Sequence, residues 1–256
     1  MKTFIAFFKK EILESVRSGK LIILGIIFAV FGIMNPAIAK LTPVLFDVLS
    51  EELASNGMII TEIQVDALTS WTQFFKNVPL ALAVFTFLYS NTFTKEYESE
   101  TLIPLLTKGL SRYKVVMAKS GLMLLLWSAG YFLMFGVTYL YNSYFWDNGI
   151  ASGLFPAIFN WWIFGIFTVS LIVLFSVISK SYIGVLLGVG GTVLALYILD
   201  FLPRISRFLP CHLIDSAGLL VGAEVFDIYI VAEIIALVIS AFCIAIAIPV
   251  FNKKQL

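Results

Sequence analysis

Few residues in this chain could do chemistry, and their spacing excludes most kinds of it. His212 is the single histidine, so no second imidazole exists to build a paired-histidine metal motif, and any serine–histidine dyad would have to use His212 itself. Two cysteines, Cys211 and Cys243, are too few for a disulfide framework. Cys243 lies deep in the last apolar stretch, roughly 24 Å further along a helix axis, so the two cannot bridge within one chain. Gly188-Val189-Gly190-Gly191-Thr192 has the glycines of a phosphate loop but no lysine, and it sits inside an apolar stretch. The expectation is a chain with no catalytic residues, no metal or cofactor site and no nucleic-acid partner.

The charged residues that remain are concentrated in two places. One is residues 94–119, where Glu96, Glu98 and Glu100 precede an apolar run through Thr101, Leu105 and Leu106, followed by Lys108, Arg112, Lys114 and Lys119. An acidic cluster, an apolar turn and a basic cluster in that order predict a short helix offering a contact surface to a partner. The other is the start of the chain. At 100° per residue Phe4, Ile5, Phe8, Ile12 and Val16 fall on one stripe, with Lys9, Lys10, Glu11, Glu14 and Arg17 around the rest. Residues 2–18 are therefore expected to form an amphipathic helix lying in a membrane interface. Glu233, about a turn and a half into the last apolar stretch, is the one ionisable residue within a stretch that could serve a path. A charge within a span is costly and usually functional, but so near the end of its stretch Glu233 reads first as an interfacial glutamate reaching water and only second as a foothold on a path.

What must position these residues is mostly apolar. The chain has 256 residues, of which 60% are hydrophobic and 13% charged, far from the balance of a soluble domain. A bilayer core about 30 Å thick needs roughly 20 apolar residues of helix. Six stretches qualify: 21–39, 74–93, 117–141, 156–178, 183–202 and 228–250. The fold class expected is all-α and integral to the membrane, a single domain over residues 1–256. Thirteen of the 17 basic residues fall on one side if both ends of the chain are cytoplasmic, leaving Lys40, Lys76, Arg204 and Arg207 outside. Ala37-Ile38-Ala39 resembles a signal-peptidase site, but the apolar stretch before it is span-length and no cleavage is expected.

The segments between spans add expectations of their own. Residues 40–72 read as a solvated outer cap or a lid facing a substrate, with a helical stretch near 44–54. Residues 203–227 are too apolar for a free loop and are expected to dip into the membrane as re-entrant helices, with Phe208 and Leu209 at a gate that Glu233 would face. Asp200 and Arg204 are spaced to pair. Gly184 and Gly188 form a small-xxx-small pair suited to close helix packing, and across a dimer axis in particular.

Taken in order, these features resemble the membrane subunits, or permeases, of type-2 ABC exporters. The start Phe8-Lys9-Lys10-Glu11-Ile12-Leu13-Glu14-Ser15-Val16-Arg17 is similar to the family's amphipathic elbow helix. Ser70-Trp71-Thr72-Gln73-Phe74-Phe75-Lys76-Asn77 resembles the lead-in to the second span in a firmicute branch. The loop pattern of the family is matched by Glu96, Glu100-Thr101-Leu102, Leu105-Leu106, Ser111-Arg112 and Lys119, with Glu100 where glycine is usual and Gly109 where proline is usual. The resemblance implies a permease dimer in a bacterial plasma membrane. Two separate ATP-binding cassette subunits would hold ATP and Mg and dock on Glu96, Glu98, Glu100, Thr101, Leu105, Leu106, Arg112 and Lys119. It also implies export of a hydrophobic or amphipathic substrate, an amphipathic or antimicrobial peptide being favoured. The alternative is a membrane module that uses no ATP, such as a channel or a substrate-binding subunit.

The basic-residue split generates a direct test. In a background lacking both native cysteines, a cysteine placed at Lys108 is expected to stay unlabelled by an impermeant maleimide on intact cells and to react after permeabilisation.

Overall fold

The computed structural model of the chain describes residues 2–54, 65–99, 101–107, 109–215 and 217–254. The expectations for Glu100 and Lys108, for the side chains of Glu98 and Leu105, and for much of the 40–72 segment lie outside the described residues. The described residues form ten α-helices: α1 (Lys2–Arg17), α2 (Lys20–Ala54), α3 (Ala67–Tyr89), α4 (Thr94–Glu98), α5 (Ile103–Thr107), α6 (Arg112–Phe145), α7 (Leu154–Ile178), α8 (Tyr182–Asp200), α9 (Ala217–Leu220) and α10 (Ile230–Lys253). Five helices are long and apolar enough to cross a membrane: α2, α6, α7, α8 and α10. The sixth expected crossing corresponds to α3. Its 23 residues give it the length, but Gln73, Lys76 and Asn77 make its first half polar.

Boundaries shift for identifiable reasons. The first crossing does not end at Ala39 but runs on through Pro36 and Pro43 to Ala54, absorbing the helical stretch expected in the following loop. A proline removes the amide that would bond the carbonyl four residues earlier, so Pro36 orphans the Gly32 carbonyl. Thr138 on α6 supplies the missing donor, its Oγ1 lying 3.0 Å from Gly32 O. The same hydroxyl accepts from Asn35 Nδ2 at 2.9 Å, and Asn35 Oδ1 accepts from Asn77 Nδ2 at 2.7 Å. This buried chain of bonds ties α2, α3 and α6 together, and it explains why α3 carries an asparagine at membrane depth. Gly32 is needed at the crossing, because a Cβ there would lie 2.8 Å from Val137 Cβ.

At the centre stands α7, buried on nearly all sides. Lipid tails give helices no hydrophobic reason to associate, so close packing has to do the work. Two devices supply it. Along α10 the buried stripe is Ala232, Ala236, Ser240, Cys243 and Ala247, small residues that let it lie close against α7 in the most extensive helix contact of the fold. On the other flank Gly165 leaves the slot that receives the Trp127 indole of α6, whose Nε1 donates to Trp162 O at 3.3 Å. Gly188 acts likewise on α8, where an added Cβ would meet the ring of Phe175 of α7 in the same chain. Gly184 faces Ser179 and Ser181 at the start of α8.

Among the described residues, the stretch between α8 and α10 consists of turns, three short 3-10 segments and the one-turn helix α9. Three-residue-per-turn segments at Ser206–Phe208, Pro210–Ile214 and Phe226–Ile228 flank α9, burying Pro210, Cys211, Leu213, Leu219 and Leu220 against α7, α8 and α10. Both cysteines are free and buried, and burial followed by the charge of Asp200 pushes the Cys211 thiol up to about 12.

Gly165→Val is expected to destabilise the bundle by about 1–3 kcal/mol, because the rigid Trp127 ring cannot retreat from its slot. Gly190→Ala, at a position with nothing within 4 Å of the added Cβ, should leave thermal unfolding in detergent unchanged.

Candidate functional site

The residues marked by the sequence as two separate clusters meet at one end of the bundle. Lys119, on the second turn of α6, is 2% exposed and reaches out to two other helices. Its Nζ lies 2.7 Å from Glu11 Oε2 of α1 and 2.9 Å from Glu96 Oε2 of α4, and it donates to Thr92 O at 3.2 Å. The rings of Phe93 and Phe7 lie 5.5 and 6.0 Å from it, at the outer limit for an ammonium over an aromatic face. Lys10 completes the cluster from the rim, at 2.9 Å from Glu11 Oε1, 2.9 Å from Glu96 Oε1 and 2.8 Å from Glu14 Oε2. Two lysines and three glutamates thus form one clasp whose members come from α1, α4 and α6.

Desolvation decides how this cluster behaves. A buried ammonium loses several kcal/mol of hydration, and only good geometry with several acceptors offsets that. Lys119 donates to the Glu11 carboxylate and the Thr92 carbonyl, while Glu96 Oε2 offsets its charge at close range without an aligned hydrogen bond. Burial alone would lower the Lys10 ammonium; the Glu14 hydrogen bond and the charges of Glu96 and Glu11 outweigh it and hold Lys10 above its ordinary value. Burial would likewise raise Glu14, but the bond from Lys10 holds its carboxyl below the usual range. A small polar cavity beside the clasp is lined by Ser15, Lys20, Asn91 and Lys95 among others, with Lys20 Nζ donating to Asn91 Oδ1 at 2.6 Å.

The clasp alters the expected orientation of α1. Its buried residues are Phe7, Glu11 and Ser15, with Phe4, Phe8 and Ile12 half-buried beside them, while Ile5, Leu13 and Val16 are exposed. The face turned to the bundle is rotated away from the purely apolar stripe, because Glu11 is drawn to Lys119 and Ser15 to the Tyr89 hydroxyl at 3.4 Å. Lys9 stays exposed. No local rule shows a glutamate on the polar flank of an amphipathic helix to be a core residue; its partner lies 108 positions away.

The remaining loop residues divide. Arg112 does not face outward: its Nη1 donates to Phe251, Asn252 and Lys254 carbonyls at 2.8, 3.0 and 2.7 Å, closing the free end of α10. Lys254 in turn donates to Val177 and Ser179 carbonyls at the end of α7, and burial followed by the charge of Lys180 pushes its ammonium down to about 8. Leu102 is buried and Leu106 half-buried against the core, whereas Thr101, Pro104 and Thr107 are exposed. Glu96, Arg112 and Lys119 therefore hold the loop to the bundle, and Thr101, Pro104 and Thr107 are left on its exposed face.

At the opposite end Asp200 accepts from Ser206 Oγ at 2.9 Å, and no Asp200–Arg204 ion pair exists among the described residues. Ser206 lies 3.2 Å from His212 Nδ1, and His212 stacks on Tyr229 at 4.9 Å between centroids. Since the serine proton goes to the carboxylate, the imidazole must donate to Ser206 and cannot take its proton. This is the reverse of a nucleophile–base pair, and it serves to tie α8 to α10. Phe208 is exposed and Leu209 half-buried at this rim. Glu233 is buried rather than reaching water, and its Oε1 has no hydrogen-bond partner.

Lys119→Met is expected to cost about 3–5 kcal/mol, because two buried carboxylates lose their buried partner and keep only Lys10 at the rim. Combining it with Glu11→Gln and Glu96→Gln should recover a large part of that loss. Chemical unfolding of the purified protein in detergent, followed by tryptophan fluorescence, measures both.

Residues 5–201 match the family model described as ABC-2 family transporter protein. Neither a curated protein nor a solved structure matches the chain. The family model spans well over half of the 256 residues, and it takes in the helices that build the clasp and four of the five apolar crossings. The chain therefore belongs to the ABC-2 transporter family, as a multi-pass membrane protein and the permease subunit of an ABC transporter.

Proposed function

We propose that this permease works as an exporter driven by separate ATP-binding subunits, and that the clasp of Lys119, Glu11 and Glu96 carries their motion into the bundle. ABC-2 membership implies an ATP-binding partner and a lipid bilayer. The supporting observation is that the loop helix α4 is ion-locked to both α1 and α6. A push on the loop from below cannot bend α4 alone. It moves α4, α1 and the start of α6 as one body, and α6 passes the displacement to α7 through the Trp127 slot.

In this reading α3 is the second of six crossings, and the basic end with α1, α4 and α5 is cytoplasmic, in accord with the distribution of lysine and arginine. Two permease copies and two ATP-binding subunits make the working unit, with ATP and Mg held by the latter. The turn that carries Leu105 and Leu106 is the docking surface, and Glu98, Glu100 and Thr101 flank it. The cargo is a hydrophobic or amphipathic molecule, an amphipathic peptide in the favoured case. It leaves past the rim that carries Phe208 and Leu209, with Glu233 as a polar foothold.

The purified permease alone is expected to show no ATPase activity, and hydrolysis should appear on co-purification with its ATP-binding subunit. Leu105→Asp combined with Leu106→Asp should weaken recruitment of that subunit by roughly thirtyfold, the equivalent of losing an apolar anchor worth about 2 kcal/mol. Pull-down from membranes, with permease levels matched, measures it. Undiminished recruitment, or transport by the permease alone on a proton or sodium gradient, contradicts the proposal.

A further inference from the structure

Two cavities outside the clasp share a wall. The first is an apolar chamber of about 520 Å³ that separates α3 from α8 above the face of α7, lined by Leu82, Thr86, Trp161, Phe164, Val189 and Val193 among others. Its hydroxyls do not make it polar. Thr86 donates to Leu82 O and Thr168 to Phe164 O, each within its own helix. The second is a pocket of about 460 Å³ at the end of α8, lined by Tyr197, Asp200, Phe201, Ser206, His212 and Asp215, with Cys211 and Ile214. Tyr197 and Ile214 belong to both linings, so the dry chamber adjoins the polar pocket directly. Each volume lies within the range of sites that hold small organic ligands.

Charge at the polar end is one-sided. Asp200 and Asp215 line the pocket, and among the described residues no lysine or arginine does. The nearby Arg207 is turned onto the Phe208 ring at 4.7 Å, and Arg204 is exposed and lines neither cavity. Asp200 uses one oxygen on Ser206, which leaves lone pairs for a further donor. Tyr197 and Phe201, half-exposed and exposed at the rim, offer ring faces that attract an organic cation. A long apolar wall leading to carboxylates and aromatic faces is complementary to one chemical class.

We propose that these two cavities form a single binding site for a cationic amphiphile. Its apolar tail lies in the chamber between α3 and α8, and its positive group sits against Asp200 and Asp215. The inference rests on the exporter reading for its role, and it narrows the cargo of that exporter to molecules with a positive end and an apolar body. A basic amphipathic peptide would present one lysine or arginine and its neighbouring apolar residues to this site, not its whole length.

The test uses the purified permease in lipid nanodiscs, with empty nanodiscs subtracted, and two radiolabelled probes of equal tail: dodecyltrimethylammonium and dodecyl sulfate. Saturable binding of the ammonium is expected, with the sulfate at least tenfold weaker. Asp200→Asn with Asp215→Asn, which keeps an acceptor for Ser206, should weaken the ammonium roughly tenfold, the scale of one charged contact. Gly190→Phe should remove saturable binding by filling the chamber from a position where an added side chain meets open space, while Gly190→Ala should not. Equal binding of both probes, or binding indifferent to the two aspartates, identifies a plain lipid groove and overturns the proposal, as does the absence of saturable binding. Loss of subunit association by Gly190→Phe without probe binding in the parent protein assigns the chamber to a second copy and overturns it too. ATP hydrolysis with the partner subunit is measured separately. A permease that supports hydrolysis but fails the probe assay refutes this site alone, and one that binds the ammonium but recruits no ATP-binding subunit refutes the exporter reading alone.

Discussion

A single buried ammonium, that of Lys119, fixes the geometry of one whole end of this protein. It is the point where the amphipathic helix α1, the loop helix α4 and the long membrane helix α6 are joined, beside the apolar contacts that Phe7 and Phe93 make with the core. The attraction between the charges survives because water is kept out by Phe7, Phe93 and the turns above them, where the effective dielectric is low. The same exclusion makes partial assembly costly: with Lys119 absent, Glu11 and Glu96 keep only Lys10 at the rim, and with both glutamates absent Lys119 is a buried charge without a carboxylate. Such a cluster is a weak source of net stability and a strong determinant of arrangement. The joint comes close to all-or-none, which suits an element that has to transmit displacement rather than absorb it.

Within the bilayer the rules are different, and the chain follows them with different residues. Helix association there rests on small side chains, slots and a few interhelical hydrogen bonds. Ala232, Ala236, Ser240, Cys243 and Ala247 let α10 close on α7, while Gly165 and Gly188 admit a large ring from a neighbouring helix. By contrast α8 is largely exposed along its length, with Val185 and Val189 its only buried residues. The fold thus has a tightly packed centre of α6, α7 and α10 and a looser flank at α8, and the apolar chamber lies on the looser side.

The crossings were legible in the sequence because an apolar run of some twenty residues is far longer than the core of a soluble domain can cover. What the loop residues do was not legible. Glu96, Arg112 and Lys119 read as a surface for a partner, and their bonds to the bundle itself went unseen because counter-groups such as Lys10, Glu11 and the Lys254 carbonyl lie more than 80 positions away. Periodicity placed the α1 stripe about half a face from where the charges turn it. Glycine spacing located a close helix contact at Gly188 but not which helix fills it, because spacing on one helix carries no information about its neighbour. Polar membrane residues such as Asn35 and Asn77 gave no signal singly, and have meaning only as a bonded pair.

The bond from Thr138 to the Gly32 carbonyl has a consequence for how the protein is made. Pro36 guarantees that this carbonyl cannot be satisfied within α2, and in hydrocarbon no water substitutes. Its donor lies 106 residues later in the chain. At synthesis rates of roughly 5–20 residues per second, that donor emerges on the order of 5–20 s after the proline. During that interval α2 is a membrane helix with an open polar defect and an unmatched Asn35, which favours its retention in a hydrated or protein-lined place until α6 arrives. The third long helix is therefore the event that lets the first one settle, and insertion and packing of this chain are one coupled process rather than two successive ones.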